Sequence, residues 1–347
     1  LEQPSLLQVF GAPESIIESW FDSDKVKAVI ASHCMPGNYA SLSQPSAGLA
    51  MLHHAVGSLD GKKGVWGLVR GGMGTITQAM ARSALTKGVE IKTEAPVEKI
   101  LLRDGIANGV RLSDGSSLHA RIIAANTDPI RTFLTLLGKE FLPEKFARDI
   151  SAFRQESASL RMNLALSGLP QFRCMPGNSI GPQHQSTIVF IQSKAHLEEA
   201  YLSSRAGIPA DPPIIEAIIP STLDETLTDA PGTHVMSLLC KYMPYDLKDG
   251  KHWDTEKEAV VTNILEYLTR FIPNLPDILV AHQSLSPLDI ERMFGMTRGD
   301  ICHGRLEPDQ LFSARPHPDA APWRSPALPA RSAGGQPGRR RRREPPL

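Results

Sequence analysis

The stretch GLVRGGMGTITQAMARSALTKGVEI, residues 67–91, decides how this chain is read. A short apolar run at 65–69 leads into Gly71, Gly72 and Gly74, and Thr77 stands where a third small residue of a dinucleotide fingerprint would fall. In that fingerprint, free N–H groups at a helix N-terminus hold a pyrophosphate. From Thr75 to Lys87 the apolar positions Ile76, Ala79, Met80, Ala84 and Leu85 recur at helical spacing, and Gly88 stands where a C-cap favours a left-handed residue. Whether the glycines cradle phosphate or only lead a helix depends on the elements that come after that helix.

After Gly88 the period becomes that of strands: VEIKTE (89–94), APVEKILLRDG (95–105) and ANGVRLSDGSSLHARIIAAN (107–126), with Asp114-Gly115 at a tight hairpin turn. A dinucleotide-binding βαβ unit needs a further crossover helix to reach a parallel neighbour. Here strands succeed one another through short turns, so the expected unit is helix, strand, antiparallel meander, strand. Alternation places Val97 on one face with Lys99 and Leu101 unless a bulge intervenes, on a strand flanked by the 106–112 and 118–124 segments. The glycines then serve close backbone approach at a helix start.

Working outward, residues 1–60 predict helices at ESIIESWF, DKVKAVIAS with Ser23 as N-cap, and AGLAMLHHAV after Pro45. Beyond Asn126 come a helix (DPIRTFLTLLG), candidate strands SLRMNLALSGLP, STIVFIQ, IIEAIIPST and HVMSLLCKYMPY, a helix KAHLEEAYLSS, and a longer helix from about Thr255 to Phe271. The expected division is 1–66, helical part of a substrate domain; 67–130, helix, strand and meander; 131–313, the α+β remainder of the substrate domain; and 314–347, a Pro/Arg-rich tail.

With 347 residues, 41% of them hydrophobic, the chain can bury a substantial core. Its formal charge of zero is uneven: from Ala314 onward eight Arg stand against Asp319 and Glu344, a net of +6, so residues 1–313 carry −6. A mildly acidic body gives no support to nucleic-acid binding. Cys34, Cys174, Cys240 and Cys302 form no CxxC pair for zinc or redox work. No apolar run approaches the ~20 residues of a membrane span, and no signal-peptide pattern is present. Because the sequence starts at Leu1, any N-terminal address is expected upstream.

Other short motifs are weaker. GNSIG (177–181) spells the G-x-S-x-G elbow around Ser179, with His184 nearby, but Pro176 and Pro182 flank it in a polar loop rather than a strand-to-helix turn. A serine hydrolase at Ser179 is therefore a third reading. His33-Cys34 and Cys302-His303 are adjacent residues without further metal ligands, DSDK at 22–25 lacks the glycine and closing acid of a calcium loop, and Arg339–Arg343 reads as a solvated tail. No metal is expected.

The composite RGGMGTITQAMARSALTKGVEIKTEAPVEKILLRDGIANGVRLSDGSSLHARIIAANTDP, together with SPLDIERMFGMTRGDICHGRLEPDQLFSARP, resembles the FAD-dependent phytoene dehydrogenase and flavin amine oxidase superfamily from about Gly37 to Pro316. The resemblance implies an α+β / α/β fold: a fragment of a two-domain FAD-dependent oxidoreductase, with an incomplete glutathione-reductase-like FAD domain and a substrate domain of antiparallel sheet and helices. It implies FAD, with the backbone of Val97 on the adenine, Ala125, Asn126 and Thr127 approaching the cofactor, and Gly71 and Gly72 near the substrate-facing side of the isoalloxazine. It implies hydride transfer from a small-molecule carbon substrate to flavin and, through a mitochondrial animal member, the mitochondrial matrix; it names no catalytic side chain. The N-terminal G-x-G-x-x-G and the C-terminal glycine-rich closure of relatives are absent here. A non-catalytic binding or regulatory protein on the same scaffold is the rival reading.

Past about Ala314 apolar periodicity gives way to Pro, Arg, Ala and Gly, a mixture too poor in apolar surface to offset its ordering entropy. Residues 314–347 are expected to be a frame or splice artefact, or an isoform without flavin closure. Reading the transcript one or two nucleotides out of frame beyond this point should give an apolar strand followed by several glycines; sequencing that finds neither frame doing so refutes a frame error.

Overall fold

The run SLRMNLAL sets Leu and Met at alternate positions between Ser, Arg, Asn and Ala, and it forms an inner strand of the main sheet. The computed structural model describes residues 11–34, 39–45, 47–65 and 67–317. The expectations for the tail from 318 onward, Arg339–Arg343 included, lie outside the described residues. In chain order the elements are α1 (Pro13–Trp20), α2 (Asp24–Ser32), α3 (Ala47–Val56), a small hairpin of β1 (Ser58–Leu59) and β2 (Lys62–Lys63), α4 (Gly74–Thr86), β3 (Val97–Arg103), β4 (Ile106–Leu112), β5 (Ser117–His119), a π-helix at Arg131–Gly138, α5 (Glu144–Ser151), β6 (Ser159–Leu166), β7 (Ile188–Phe190), α6 (Lys194–Arg205), β8 (Ile214–Ile218), β9 (His234–Lys241), α7 (Trp253–Thr269), α8 (Leu275–Ile278), β10 (Leu279–Leu285) and α9 (Pro287–Phe294).

Five strands form one antiparallel sheet in the order β10-β6-β9-β8-β7. Leu160, Met162, Leu164 and Leu166 of β6 point to one face beside Met236, Leu238 and Cys240 of β9, and α7 covers them with Val261, Ile264 and Leu268. Burying each such side chain is worth about 1.5–3 kcal/mol. On the other side of the sheet, Ile214 and Tyr242 meet Leu197 and Tyr201 of α6 and Ile17, Ala31 and Ala47 of the first three helices. Helices therefore cover both faces. The edge strand β10, with the run LVAHQSL, is largely exposed and has no clear alternation, so the sequence does not single it out.

The meander forms a separate sheet, β3-β4-β5, whose Ile100 packs with Leu136 and Leu137 of the π-helix, Leu142, and Ala147 of α5. Asp104 and Gly105 both adopt left-handed backbone (φ 52° and 77°), which closes the two-residue hairpin between Arg103 and Ile106. At the next turn Gly115 has φ 86° and the Asp114 carboxylate accepts the Ser116 N–H at 2.8 Å.

Three strand expectations are corrected. Residues 89–94 form no strand, and neither do 120–126, where only the Ala120 N–H reaches β4, on the Asn108 carbonyl; among the described residues no strand ladder continues from there, and a strand cannot form alone. The 117–119 strand joins the far side of β4, so β3 has β4 as its neighbour and does not touch the 118–124 segment. The exception allowed for the facing of Val97 is the one that occurs: bulges between Val97 and Lys99 and between Leu101 and Leu102 turn Val97 into the cluster of Ile100 and Leu102, away from the face expected without a bulge. The tail boundary at 314 is also too early: Arg315 donates to the Cys302 and His303 carbonyls, and His317 is buried against Asp149.

One surface stays apolar and open. Helix α4 has the periodicity expected of it and ends at Gly88 in a Schellman cap, with Val89 N–H on the Ala84 carbonyl and Gly88 N–H on that of Leu85, yet it contains no buried residue. Met80 and Ile122 are 66% and 82% exposed. Leu164→Ala should therefore cost about 2–5 kcal/mol in urea unfolding, whereas Met80→Ser should change stability by no more than about 0.5 kcal/mol; comparable losses would contradict this division between core and surface.

Candidate functional site

The glycine turn before α4 is fixed from two sides. Gly71 and Gly72 both have left-handed φ, 81° and 84°, which a side chain would resist. From within, Thr75 Oγ1 donates to the carbonyls of Gly72 at 2.7 Å and Arg70 at 3.3 Å. From the loop after β8, the Asp224 carboxylate accepts the Gly71 N–H at 2.6 Å, while also accepting the Thr226 N–H at 3.1 Å and its hydroxyl at 2.6 Å. The Thr226 hydroxyl first, and the Gly71 N–H next, hold the Asp224 carboxyl below its usual range.

These contacts settle what the glycines do. The Gly72 N–H is bonded to the Val69 carbonyl, and those of Thr75 and Ile76 to Gly72 and Met73, so together with Gly71 four amides around the helix start are occupied. A carboxylate already sits on Gly71, where an anion would be repelled. With that carboxylate on it the turn does not suit a pyrophosphate, and Arg70, just before it, helps to line a cleft.

That cleft, about 570 Å³, has Leu68 and Arg70 on one side and Thr222 to Thr226 on the other. Its second wall is pinned to the main sheet by Ser221, whose hydroxyl accepts the Val235 N–H at 3.0 Å and lies 3.2 Å from His234 Nδ1. Burial, with His184 nearby, pushes the His234 imidazole below its usual range and favours its neutral form. Ser221 is buried, so this pair is a structural pin.

Val97 lies on the edge strand of the meander. The Ser113 N–H donates to the Pro96 carbonyl at 3.0 Å, which turns that carbonyl toward β4. Across the planar trans peptide the Val97 N–H points the opposite way, to the open edge, and in extended backbone its own carbonyl points there too. A planar heterocycle can meet both groups there. Ala125, Asn126 and Thr127 form an exposed run that ends at buried Asp128. Asp128 accepts the Arg131 N–H at 2.9 Å and the Thr297 N–H and hydroxyl at 3.3 and 2.8 Å. Among the described residues no hydrogen bond joins the glycine pair, Val97 and the 125–127 run to one another.

Asp128 had a local signal, an N-cap residue followed by Pro129 ahead of a helical run. Asp224 had none, because its partner Gly71 is 153 residues away. The hydrolase motif does not assemble: Ser179 lies in an exposed loop, while His184 is buried with its ring nitrogens on the Gly181 N–H and the Pro170 carbonyl. Burial pushes the thiols of Cys34 and Cys240 up to about 12 and that of Cys302 to about 11. Among the described residues no group of three His, Cys, Asp or Glu is placed to hold a metal, and no helix is long and apolar enough to cross a membrane.

A mixed α/β molecule with antiparallel sheets, a glycine turn at a cleft and an open-edged meander define a class. Residues 6–158 match the family described as flavin containing amine oxidoreductase, and the chain is a sequence relative of the flavin amine oxidase and phytoene dehydrogenase superfamily. It is 36% identical over 345 residues to pyridine nucleotide-disulfide oxidoreductase domain-containing protein 2 of Mus musculus, covering 96% of this chain and 59% of that protein. It is 25% identical over 273 residues to the lycopene-forming phytoene desaturase of Pseudescherichia vulneris, covering 77% of this chain and 51% of that one. An oxidoreductase from Methanosarcina mazei shares the fold, with a TM-score of 0.53 at 15% identity over 80% of this chain and 56% of that one. The chain thus spans between half and three fifths of the length of these proteins.

Thiol labelling tests the site's chemistry. Cys174 is exposed while Cys34 and Cys240 are buried and all three other thiols are held protonated, so at pH 8 a maleimide or disulfide reagent should modify Cys174 promptly, and the others only after unfolding. Rapid native modification of two thiols, or their pairing, would revive a redox-cysteine role.

Proposed function

We propose that this chain forms part of an FAD-dependent, phytoene dehydrogenase-like oxidoreductase, contributing the substrate domain and the middle of the FAD domain. The observation that carries the reading is the left-handed Gly71-Gly72 turn, held by Asp224 beside the cleft that Leu68, Arg70 and the 222–226 loop line. In this reading the flavin ring rests against that turn, the backbone edge at Val97 takes the adenine, and the Ala125, Asn126 and Thr127 run closes on the cofactor from the remaining side. A flavin bound there supplies a two-electron acceptor for hydride from a carbon substrate. The residues of this chain bind and orient: Asp224 fixes the turn, Asp128 fixes the end of the 125–127 run, and Arg70 and the 222–226 loop line the cleft for a small-molecule substrate.

The pyrophosphate does not fit the glycine turn, whose Gly71 and Gly72 amides are occupied and which is faced by a carboxylate. Its contacts are assigned to a segment that this chain does not contain, consistent with the share of its relatives that it spans. The proposed compartment, by kinship alone, is the mitochondrial matrix. The carboxylate seated on the turn favours a second reading, a non-catalytic binding or regulatory protein on the same scaffold.

Phosphate contacts of this charge-assisted kind contribute about 1.5–3 kcal/mol each. The chain as given should therefore lose FAD on gel filtration. Stoichiometric retained flavin, seen by its visible absorbance, would show that the pyrophosphate site is complete, while a longer chain that carries the missing segment and still shows no flavin would favour the non-catalytic reading.

A further inference from the structure

Two segments distant in sequence, 153–157 and 299–305, run side by side next to the five-stranded sheet. The Arg305 N–H donates to the Arg154 carbonyl at 2.9 Å, and Ser157 Oγ donates to the Gly299 carbonyl at 3.0 Å while accepting the Ile301 N–H at 3.4 Å. These bonds place Gln155 opposite the 302–304 turn. That turn is tight: His303 and Gly304 have φ of 54° and 130°, and the buried Asp300 carboxylate accepts the N–H groups of Cys302 and Gly304, both at 2.8 Å. A Cβ on Gly304 would come within 2.5 Å of the Phe153 ring, so the segments are in close contact.

Into this strip the fold places hydrogen-bonding atoms without partners. Gln155 is only 3% exposed, yet neither Oε1 nor Nε2 has a partner among the described residues, and the same is true of His303 Nδ1 and Arg305 Nε. Burying such groups unpaired is costly, and native interiors rarely do so. The charge of Arg305 is already matched, by Glu156 at 3.3 Å and Glu307 at 3.5 Å. What remains unmet is an amide that both donates and accepts, an imidazole nitrogen and one N–H, with no charge in need of a counter-ion. The strip begins two residues after Thr297, which bonds Asp128 at the end of the 125–127 run proposed to approach the cofactor.

We propose that Gln155 and His303 form a buried polar subsite that takes an uncharged group able both to donate and to accept hydrogen bonds, such as a carboxamide or hydroxyl of the substrate. Calling the ligand a substrate rests on the oxidoreductase reading; the binding chemistry does not. Ordered water shares that chemistry, and a small-molecule probe separates the two.

The test uses the intact chain, without flavin, and tracks the Gln155 amide and His303 ring signals by 15N NMR during titration with acetamide and, separately, acetate. Saturable shifts with acetamide are expected, at least tenfold weaker with acetate and at least tenfold weaker in Gln155→Met. No saturable shift in the wild-type protein leaves water as the occupant and overturns the proposal, as does acetate binding as well as acetamide. Thermal unfolding gives an independent measure: Gln155→Met should lower Tm where the amide has a bound partner, and a raised Tm, the signature of a dry orphan, also overturns it. Because flavin is absent from the titration, acetamide binding by this chain, found together with a longer chain that carries the further segment and still takes no FAD, would reject only the oxidoreductase reading, and a flavin-binding longer chain indifferent to acetamide would reject only the subsite.

Discussion

Every strand in the molecule exists because another strand satisfies its backbone, and the pairing of β6 with β9 is the one on which the rest depends. Eight residue pairs in unbroken register, from Ser159 opposite Lys241 to Leu166 opposite His234, set Met162 beside Leu238 and Leu164 beside Met236 on one face. That register fixes which side chains α7 can cover. It also sends Lys241 to the opposite face, where its buried ammonium pairs with Glu216 and donates to the Ser32 carbonyl at the end of α2. A slip of one residue would exchange the two faces, moving an apolar core to one side and a lysine into the other.

The same constraint explains which parts of the fold were legible in the sequence. SLRMNLAL and HVMSLLCK alternate or run apolar and also find partners, so pattern and structure agree. VEIKTE alternates too, but with no paired neighbour among the described residues its pattern has nothing to act on, and Val89 and Ile91 lie exposed. Sequence reading recognised that the glycine-led helix did not begin a parallel crossover, since hairpin turns come closely after it. It could not see the bulges that turn Val97 toward Ile100, because a bulge inserts a residue without leaving a mark in the apolar count.

The candidate site was less legible than the fold because its decisive contacts are long-range and polar. Gly71 and Gly72 were visible as residues needing unusual backbone. Their environment was not: a glycine-rich turn opening a helix predicts an anion, whereas the side chain that reaches it is itself an anion, Asp224. The carboxylate takes the place a phosphate would occupy and converts a generic binding motif into a support. Its three hydrogen bonds to Gly71 and Thr226 satisfy the charge locally, so the turn and the cleft wall carry each other.

The meander, the π-helix and α5 have their own small core, separate from the one under α7, and polar contacts from Asp128 and Asp224 reach Thr297 and the glycine turn across long stretches of sequence. Two of these contacts differ in strength for a physical reason. Asp128 is buried, and losing one of its partners would leave a carboxylate unsatisfied in a poorly solvated place, which makes its hold on Thr297 expensive to break. Asp224 is half exposed at the cleft, where water can replace the Gly71 N–H at little cost. The firmer pin lies beside the 125–127 run and the 299–305 strip, and the looser one lies at the cleft mouth. Local opening should therefore break the Gly71–Asp224 contact beside the cleft before it disturbs Asp128 and the 125–127 run that leads to it.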